Sequence, residues 1–303
     1  MNKVFFGDCR DNLRQMAAAG VTVQMCVTSP PYFGLRDYGH EGQLGLEQTP
    51  GDYVAAMVEV FRAVRDVLAD DGTLWLNIGD SYAGSMGGSF KSDEAWQAFI
   101  DRAKEKDYLP GVRARTPYQR TRMQVEGCKP KDLIGIPWML AFALRSDGWY
   151  LRQEVIWDKP NAIPEPVKDR PTRSHETLFL LSKRRAYYYD HEAIKEPSEH
   201  NTSGKRNRRS VWTIPKQNFK GAHFAVFPPA LVEPCILAGS RPGDIVLDPF
   251  MGSGTTAAVA VQHGRQYIGC ELNQEYAPLQ AERIGAVMPS NDNNPTTTER
   301  TAA

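Results

Sequence analysis

Two short runs of this 303-residue chain carry residue types that could do chemistry. The first is Ser29-Pro30-Pro31-Tyr32, which follows the apolar stretch ending at Thr28. Proline has no N–H and a fixed φ, so this turn offers rigid carbonyl oxygens beside the Ser29 hydroxyl. Those acceptors suit an amino group, and Tyr32 offers a ring on which a planar base can stack. Such a turn positions an NH2 group and needs no strong nucleophile. The second run is Asp248-Pro249-Phe250-Met251-Gly252-Ser253-Gly254-Thr255-Thr256. Here an acid precedes two glycines that lead into an Ala-rich segment. Glycines let backbone approach a ligand closely, and a helix N-terminus favours negative charge. Glu271 follows at the distance, about 20 residues, at which an acid commonly holds a ribose hydroxyl pair. Together these residues indicate a nucleoside-containing cofactor. No Lys follows Gly254 in the place a phosphate-binding loop requires, which disfavours ATP.

Both runs need strand ends to hold them. Apolar segments at 3–6, 21–28, 73–78, 149–157, 176–182, 244–249 and 266–272 read as seven strands. Helical spacing marks 11–19, 52–69 and 131–146, and an Ala-rich helix follows Thr255. Strands alternating with helices predict a mostly parallel α/β sheet, which binds ligands at the carboxyl ends of its strands. Trp138, Trp149 and Trp157 read as core. Cys235, in an apolar helix-like stretch, reads as packed rather than nucleophilic. His175-Glu176 at a strand start reads as a structural pair. The Tyr187-Tyr188-Tyr189 run fits an edge strand or a base-stacking surface equally well.

Composition bounds the rest. Lys plus Arg equal Asp plus Glu at 36 each, so net charge is zero, and 41% of residues are hydrophobic. That excludes a largely disordered chain and a uniformly basic nucleic-acid binder. Five cysteines without a CxxC pair argue against a disulfide framework or a structural zinc site, and no metal is expected. No run reaches the roughly 18 apolar residues of a membrane span, so the expected location is cytoplasmic, with no membrane partner. The charge is nevertheless uneven. Residues 102–131 hold nine Lys/Arg against three Asp/Glu, and 201–222 hold no acid at all. Both read as insertions. Arg113, Arg115, Arg120 and Arg122 in the first, and Lys205, Arg206, Arg208 and Arg209 in the second, are the expected phosphate contacts. The tail from Pro289 to Ala303 is polar and expected to be disordered.

Ser-Pro-Pro-Tyr together with Asp-Pro-Phe-Met-Gly-Ser-Gly-Thr-Thr resembles the S-adenosylmethionine-dependent DNA amino-methyltransferases. The order, catalytic motif before cofactor motif, is similar to their β class. Gly7-Asp8-Cys9, Asn77-Ile78-Gly79-Asp80-Ser81, His175-Glu176 and His223-Phe224-Ala225-Val226-Phe227-Pro228 extend the resemblance over roughly residues 3–285. It implies a Rossmann-like sheet of seven strands with one antiparallel edge strand and a circularly permuted motif order. It also implies a division of the chain. Residues 1–82 and 130–190 form the catalytic half, 83–129 an insertion, 191–222 a basic target-recognition segment and 223–288 the cofactor half. By the same resemblance, Ser29, Pro30, Pro31 and Tyr32 hold the target base. Asp8 and Cys9 hold adenine, and Glu271 takes the ribose hydroxyls. Asp248, Phe250, Gly252, Ser253, Gly254, Thr255 and Thr256 line the methionine and ribose end. Phe227 and Pro228 close the pocket, with Thr28 and Leu272 beside it. The implied reaction moves a methyl group from S-adenosylmethionine to a base flipped out of duplex DNA. Ser-Pro-Pro-Tyr leans to N4 of cytosine, with N6 of adenine the alternative. An RNA or protein-amide methyltransferase and a non-catalytic DNA-binding regulator are the competing readings. The resemblance leaves room for a cognate restriction endonuclease and for a homodimer.

Overall fold

The computed structural model describes residues 1–35, 39–40, 42–83, 125, 127–199, 202–217 and 227–287. The expectations for Arg113, Arg115, Arg120 and Arg122, for most of the 83–129 insertion and for the tail fall outside these residues.

One eight-stranded sheet organises the chain. Its strands are β1 (Lys3–Phe6), β2 (Val23–Thr28), β3 (Leu68–Ile78), β4 (Tyr150–Asp158), β5 (His175–Ser182), β8 (Val211–Thr213), β9 (Ile245–Asp248) and β10 (Gln266–Glu271). Two-residue strands β6 (Glu196–Pro197) and β7 (Lys205–Arg206) form a separate ladder. The order is β1-β10-β9-β2-β3-β5-β4-β8. Every neighbouring pair is parallel except those made by β5, which runs antiparallel to both β3 and β4.

This corrects the expected sheet in two ways. It has eight strands, because β8 forms inside the basic run and pairs with β4. The antiparallel strand lies inside the sheet, between β3 and β4, and is not an edge. The second point matters for function. An antiparallel strand brings its N-terminus to the end where parallel strands finish, so Thr177 pairs with Ile78 and Glu176 comes within 3.3 Å of Asn77.

Helices cover both faces. Helices α1 (Cys9–Ala18), α2 (Pro50–Val67) and α3 (Ile136–Ser146) bury Leu13, Met57, Phe61 and Leu140 on one face. On the other face α4 (Pro229–Gly239), α5 (Thr255–Gln262) and α6 (Ala277–Gly285) bury Leu231, Ile236, Val259 and Ile284. Strand residues alternate between the two cores: Cys26 joins the first, Met25 and Val27 the second. Burial on both faces is why these strands read as apolar runs. Helix α2 starts where Thr49 caps it, its Oγ1 accepting from Asp52 N at 3.0 Å, with Pro50 next. Helix α3 begins at Ile136, five residues after its expected start, because Gly135 is left-handed. Its first N–H, of Ile136, and that of Gly135 donate to Asp80 Oδ1 at 3.0 Å.

Trp149 and Trp157 are core as expected, but Trp138 is 39% exposed and rests edge-on against Phe179. Cys235 is packed, its thiol donating to the Leu231 carbonyl. Tyr187 to Tyr189 form no strand. Tyr187 and Tyr189 line a cleft of about 870 Å³ with Trp75, Trp212, Arg152 and Arg208. Among the described residues no helix is long and apolar enough to cross a membrane.

Candidate active site

The carboxyl ends of β1, β10, β9, β2 and β3 lie side by side, and the start of β5 completes the row. At β9 the last residue is Asp248, only 3% exposed. Thr28 Oγ1 donates to its Oδ1 at 2.7 Å, Thr256 Oγ1 to its Oδ2 at 2.7 Å, and Phe250 N to Oδ1 at 3.0 Å. All three donors are neutral. Burial pushes the Asp248 carboxyl up to about 6, against the pull of those three hydrogen bonds. Thr28 and Thr256 therefore hold Asp248, and both are buried.

The glycine turn folds as its sequence dictates. Gly252 and Gly254 have φ of 52° and 85°, which a side chain rarely adopts. Met251 lies across Gly269 of β10, where a Cβ would come within 1.9 Å of its sulfur. Glu271 ends β10 and wraps the turn: Gly252 N donates to Oε2 at 2.7 Å and Asn273 N to Oε1 at 2.8 Å. Burial raises this carboxyl too, while the two N–H groups lower it. Ser253 and Thr255 are buried, and their hydroxyls accept from Arg283 of α6, so they tie the turn to that helix.

Beside Glu271, Gly7 N donates to the Glu271 carbonyl at 2.9 Å. Asp8 follows as the N-cap of α1, accepting from Arg10 N at 2.8 Å and from the Arg10 guanidinium, which holds its carboxyl below the usual range. Cys9 is packed in the core, and burial pushes its thiol up to about 12. Phe227, Pro228, Phe250 and Leu272 complete the row, with Leu272 37% exposed. Phe227 lines a small pocket with Thr28, Asn77 and Leu231.

At the end of β2 the turn Ser29 to Tyr32 is braced from several sides. Tyr53 Oη donates to the Pro31 carbonyl at 2.9 Å, which uses one of its two lone pairs. Pro30 is buried. Tyr32 lies against Gly79, where a Cβ would approach its ring to 2.5 Å. Its hydroxyl is 2.8 Å from Glu176 Oε2, 3.3 Å from Asn77 Oδ1 and 3.4 Å from Ser29 Oγ. Asn77 Nδ2 donates to the Thr177 carbonyl at 3.2 Å. Lys159, at the end of β4, forms an ion pair with Glu176 Oε1 and stands 4.2 Å from the Trp157 ring centre. Burial lowers the Lys159 ammonium, and Glu176 opposes that. Glu176, Lys159 and Asn77 were not among the expected site residues. Their sequence signals were His175-Glu176 at a strand start, read as structural, and Asn77-Ile78-Gly79-Asp80-Ser81, which entered only as part of the resemblance.

The basic run divides. Arg206 and Arg209 both donate to Glu196 Oε1, at 2.7 and 2.9 Å. Arg208 lies over the Trp212 ring at 4.6 Å, and Lys205 pairs opposite Pro197.

The DNA methylase family of the N6/N4 type matches residues 23–283. The type II methyltransferase M.SmaI of Serratia marcescens is 52% identical over 282 residues, covering 93% of this chain and 90% of its own length. M.Cfr9I of Citrobacter freundii, also named a type II methyltransferase, is 50% identical over 281 residues, covering 93% and 87%. Among solved structures, the cytosine-N4-specific PvuII DNA methyltransferase superposes with a TM-score of 0.63 at 19% identity, covering 96% of this chain and 87% of its own. A DNA modification methylase from Thermus thermophilus, solved with S-adenosyl-L-methionine, gives 0.61 at 23% identity, covering 96% of each chain. Those two share the fold, and the family match and the relatives at half identity go further: the chain belongs to the N6/N4 family of DNA methylases.

Proposed function

We propose that this protein transfers the methyl group of S-adenosylmethionine to the exocyclic N4 amino group of a cytosine flipped out of duplex DNA. One observation carries the reading. Thr28 bonds Asp248, and the next residue, Ser29, bonds Tyr32. A cofactor held at Asp248 and Glu271 and a base held at Ser29 thus meet at the end of a single strand.

The lining of the cofactor end fits this cofactor. Among the described residues Asp248 and Glu271 accept from neutral donors only, so their negative charge suits hydroxyl groups and a cationic amino acid portion. Glu271 would take the ribose, Asp248 and the turn 250–254 the methionine portion, and Asp8 the adenine edge, with Phe227, Phe250 and Leu272 as apolar walls. Bound there, S-adenosylmethionine supplies an activated methyl group. The protein's own contribution is orientation: Ser29 accepts from the amino N–H and fixes the nitrogen for in-line attack. Extrusion of the base brings an amino group, otherwise inside the stack, to that hydroxyl.

Serine at position 29 supports cytosine N4, as does the cytosine-N4 specificity of the PvuII enzyme. The matched family joins N4 and N6 chemistry, so N6 of adenine is the second reading. Duplex DNA is the proposed substrate, with Lys205, Arg206, Arg208, Arg209 and the arginines at 113, 115, 120 and 122 as phosphate contacts. The type II designation of the relatives supports a cognate restriction endonuclease. Tritiated methyl incorporation into duplex DNA, RNA and protein tests the substrate class: incorporation into duplex DNA is expected, and incorporation only into RNA or protein would overturn it.

A further inference from the structure

The chemistry available at Ser29 depends on where its hydroxyl hydrogen points. Tyr32 Oη has one hydrogen and three oxygens within reach: Glu176 Oε2 at 2.8 Å, Asn77 Oδ1 at 3.3 Å and Ser29 Oγ at 3.4 Å. An ionised carboxylate can only accept, and a hydrogen bond to it is roughly twice as strong as a neutral one. Its other oxygen is occupied by Lys159, a group that can only donate. Tyr32 therefore gives its hydrogen to Glu176. The phenol oxygen is then left to accept, and Ser29 is the hydroxyl that donates to it. Ser29 keeps its lone pairs for whatever stands on its other side. The 3.4 Å contact is long, as such contacts are before a substrate closes the site.

We propose that Glu176, anchored by Lys159, is a positioning residue that sets the polarity of the Ser29 hydroxyl through Tyr32. It makes Ser29 an acceptor toward the amino group to be methylated. This rests on the reading that Ser29 faces that amino group. The residues come from three strands: Ser29 and Tyr32 follow β2, Lys159 follows β4 and Glu176 lies in β5. Glu176 can reach Tyr32 only because β5 is antiparallel.

Glu176→Gln isolates the effect. Lys159 takes the new amide oxygen, so the NH2 group faces Tyr32. The phenol then accepts from it and gives its own hydrogen to Asn77 Oδ1 at 3.3 Å or Ser29 Oγ at 3.4 Å, so the Ser29 hydrogen is released toward the substrate's own donors. The expected result is a fall in kcat of about 100-fold, with KM for DNA and cofactor affinity held within about twofold. Tyr32→Phe frees the Ser29 hydroxyl to rotate and should cost about 10-fold. The double variant Tyr32→Phe/Glu176→Gln should match Tyr32→Phe alone, and so exceed Glu176→Gln. Losses that multiply in the double variant, or a Glu176→Gln enzyme with full kcat, would overturn the proposal. Should Glu176→Gln not yield folded protein, Glu176→Asp and Glu176→Asn repeat the contrast: the carboxylate is expected to retain activity and the amide to lose it, and equal activities would overturn it. Wild-type enzyme that methylates no nucleobase amino group would instead remove the underlying reading, and this is seen before any variant is made.

Discussion

At the cofactor end, the buried Asp248 and half-buried Glu271 carboxylates face, among the described residues, only backbone N–H groups and hydroxyls. At the base end, Glu176 faces an ammonium and a phenol. Asp248 and Glu271 therefore carry charge that no cation among the described residues neutralises, and burial raises both. The cationic cofactor proposed above would complete the cofactor end. The base end is already balanced by Lys159, so it can be set in advance for a neutral base. One strand end, Thr28-Ser29, joins an unbalanced half to a balanced one.

The largest effect expected from separating the halves is at Ser29. Ser29→Ala should lower kcat between about 100- and 1000-fold and leave cofactor affinity intact, since it touches only the base end. Weakened cofactor binding in that variant would mean the halves are not separate. Glu271→Gln should do the reverse. Loss of a charge-assisted bond of about 2 kcal/mol weakens S-adenosylmethionine binding about 30-fold by calorimetry, while kcat at saturation stays within a few-fold. Unchanged affinity would remove Glu271 from the cofactor end.

Asp248 tests the charge imbalance without any ligand. Its folded-state value of about 6 lies above the ordinary 3.8, so its contribution to stability is full below about 3.8 and is lost as pH rises through about 6. The charge costs the folded protein at most about 3 kcal/mol at neutral pH. Asp248→Asn removes that cost but inherits three donors, leaving a net gain of roughly 1 kcal/mol above pH 6. Thermal melts of ligand-free protein between pH 4 and 8 should show the variant's advantage growing with pH. An advantage that shrinks as pH rises would contradict the imbalance. The smallest effect belongs to the basic run. Arg206→Gln with Arg209→Gln should reduce the salt slope of duplex binding by less than about 0.9 per residue, because both already pair with Glu196. An unchanged slope would remove both from the DNA contact.

The two halves also differed in how far the chain announced them. Asp248 to Thr256 is contiguous, and Glu271 ends the next strand, so local turn geometry sufficed to find the cofactor end. At the base end only Ser29 to Tyr32 could be found that way. Glu176 reaches Tyr32 across 144 positions because β5 is antiparallel and pairs Thr177 with Ile78. Nothing in the local pattern of an apolar strand states its direction or its neighbours. Seven strands were readable from apolar runs, while β8 is only three residues long and sits in a charged stretch. Similarly, Arg206 and Arg209 look free in sequence until the β6–β7 ladder places Glu196 beside them.

The central claim is that this two-part site methylates a nucleobase amino group, with cytosine N4 the target. Incubate the protein with duplex plasmid and S-adenosylmethionine, digest to nucleosides and identify the modified base by mass spectrometry. N4-methylcytosine is the predicted product. N6-methyladenine would contradict the assignment of the base, and 5-methylcytosine or no modified nucleoside would contradict the account of the site.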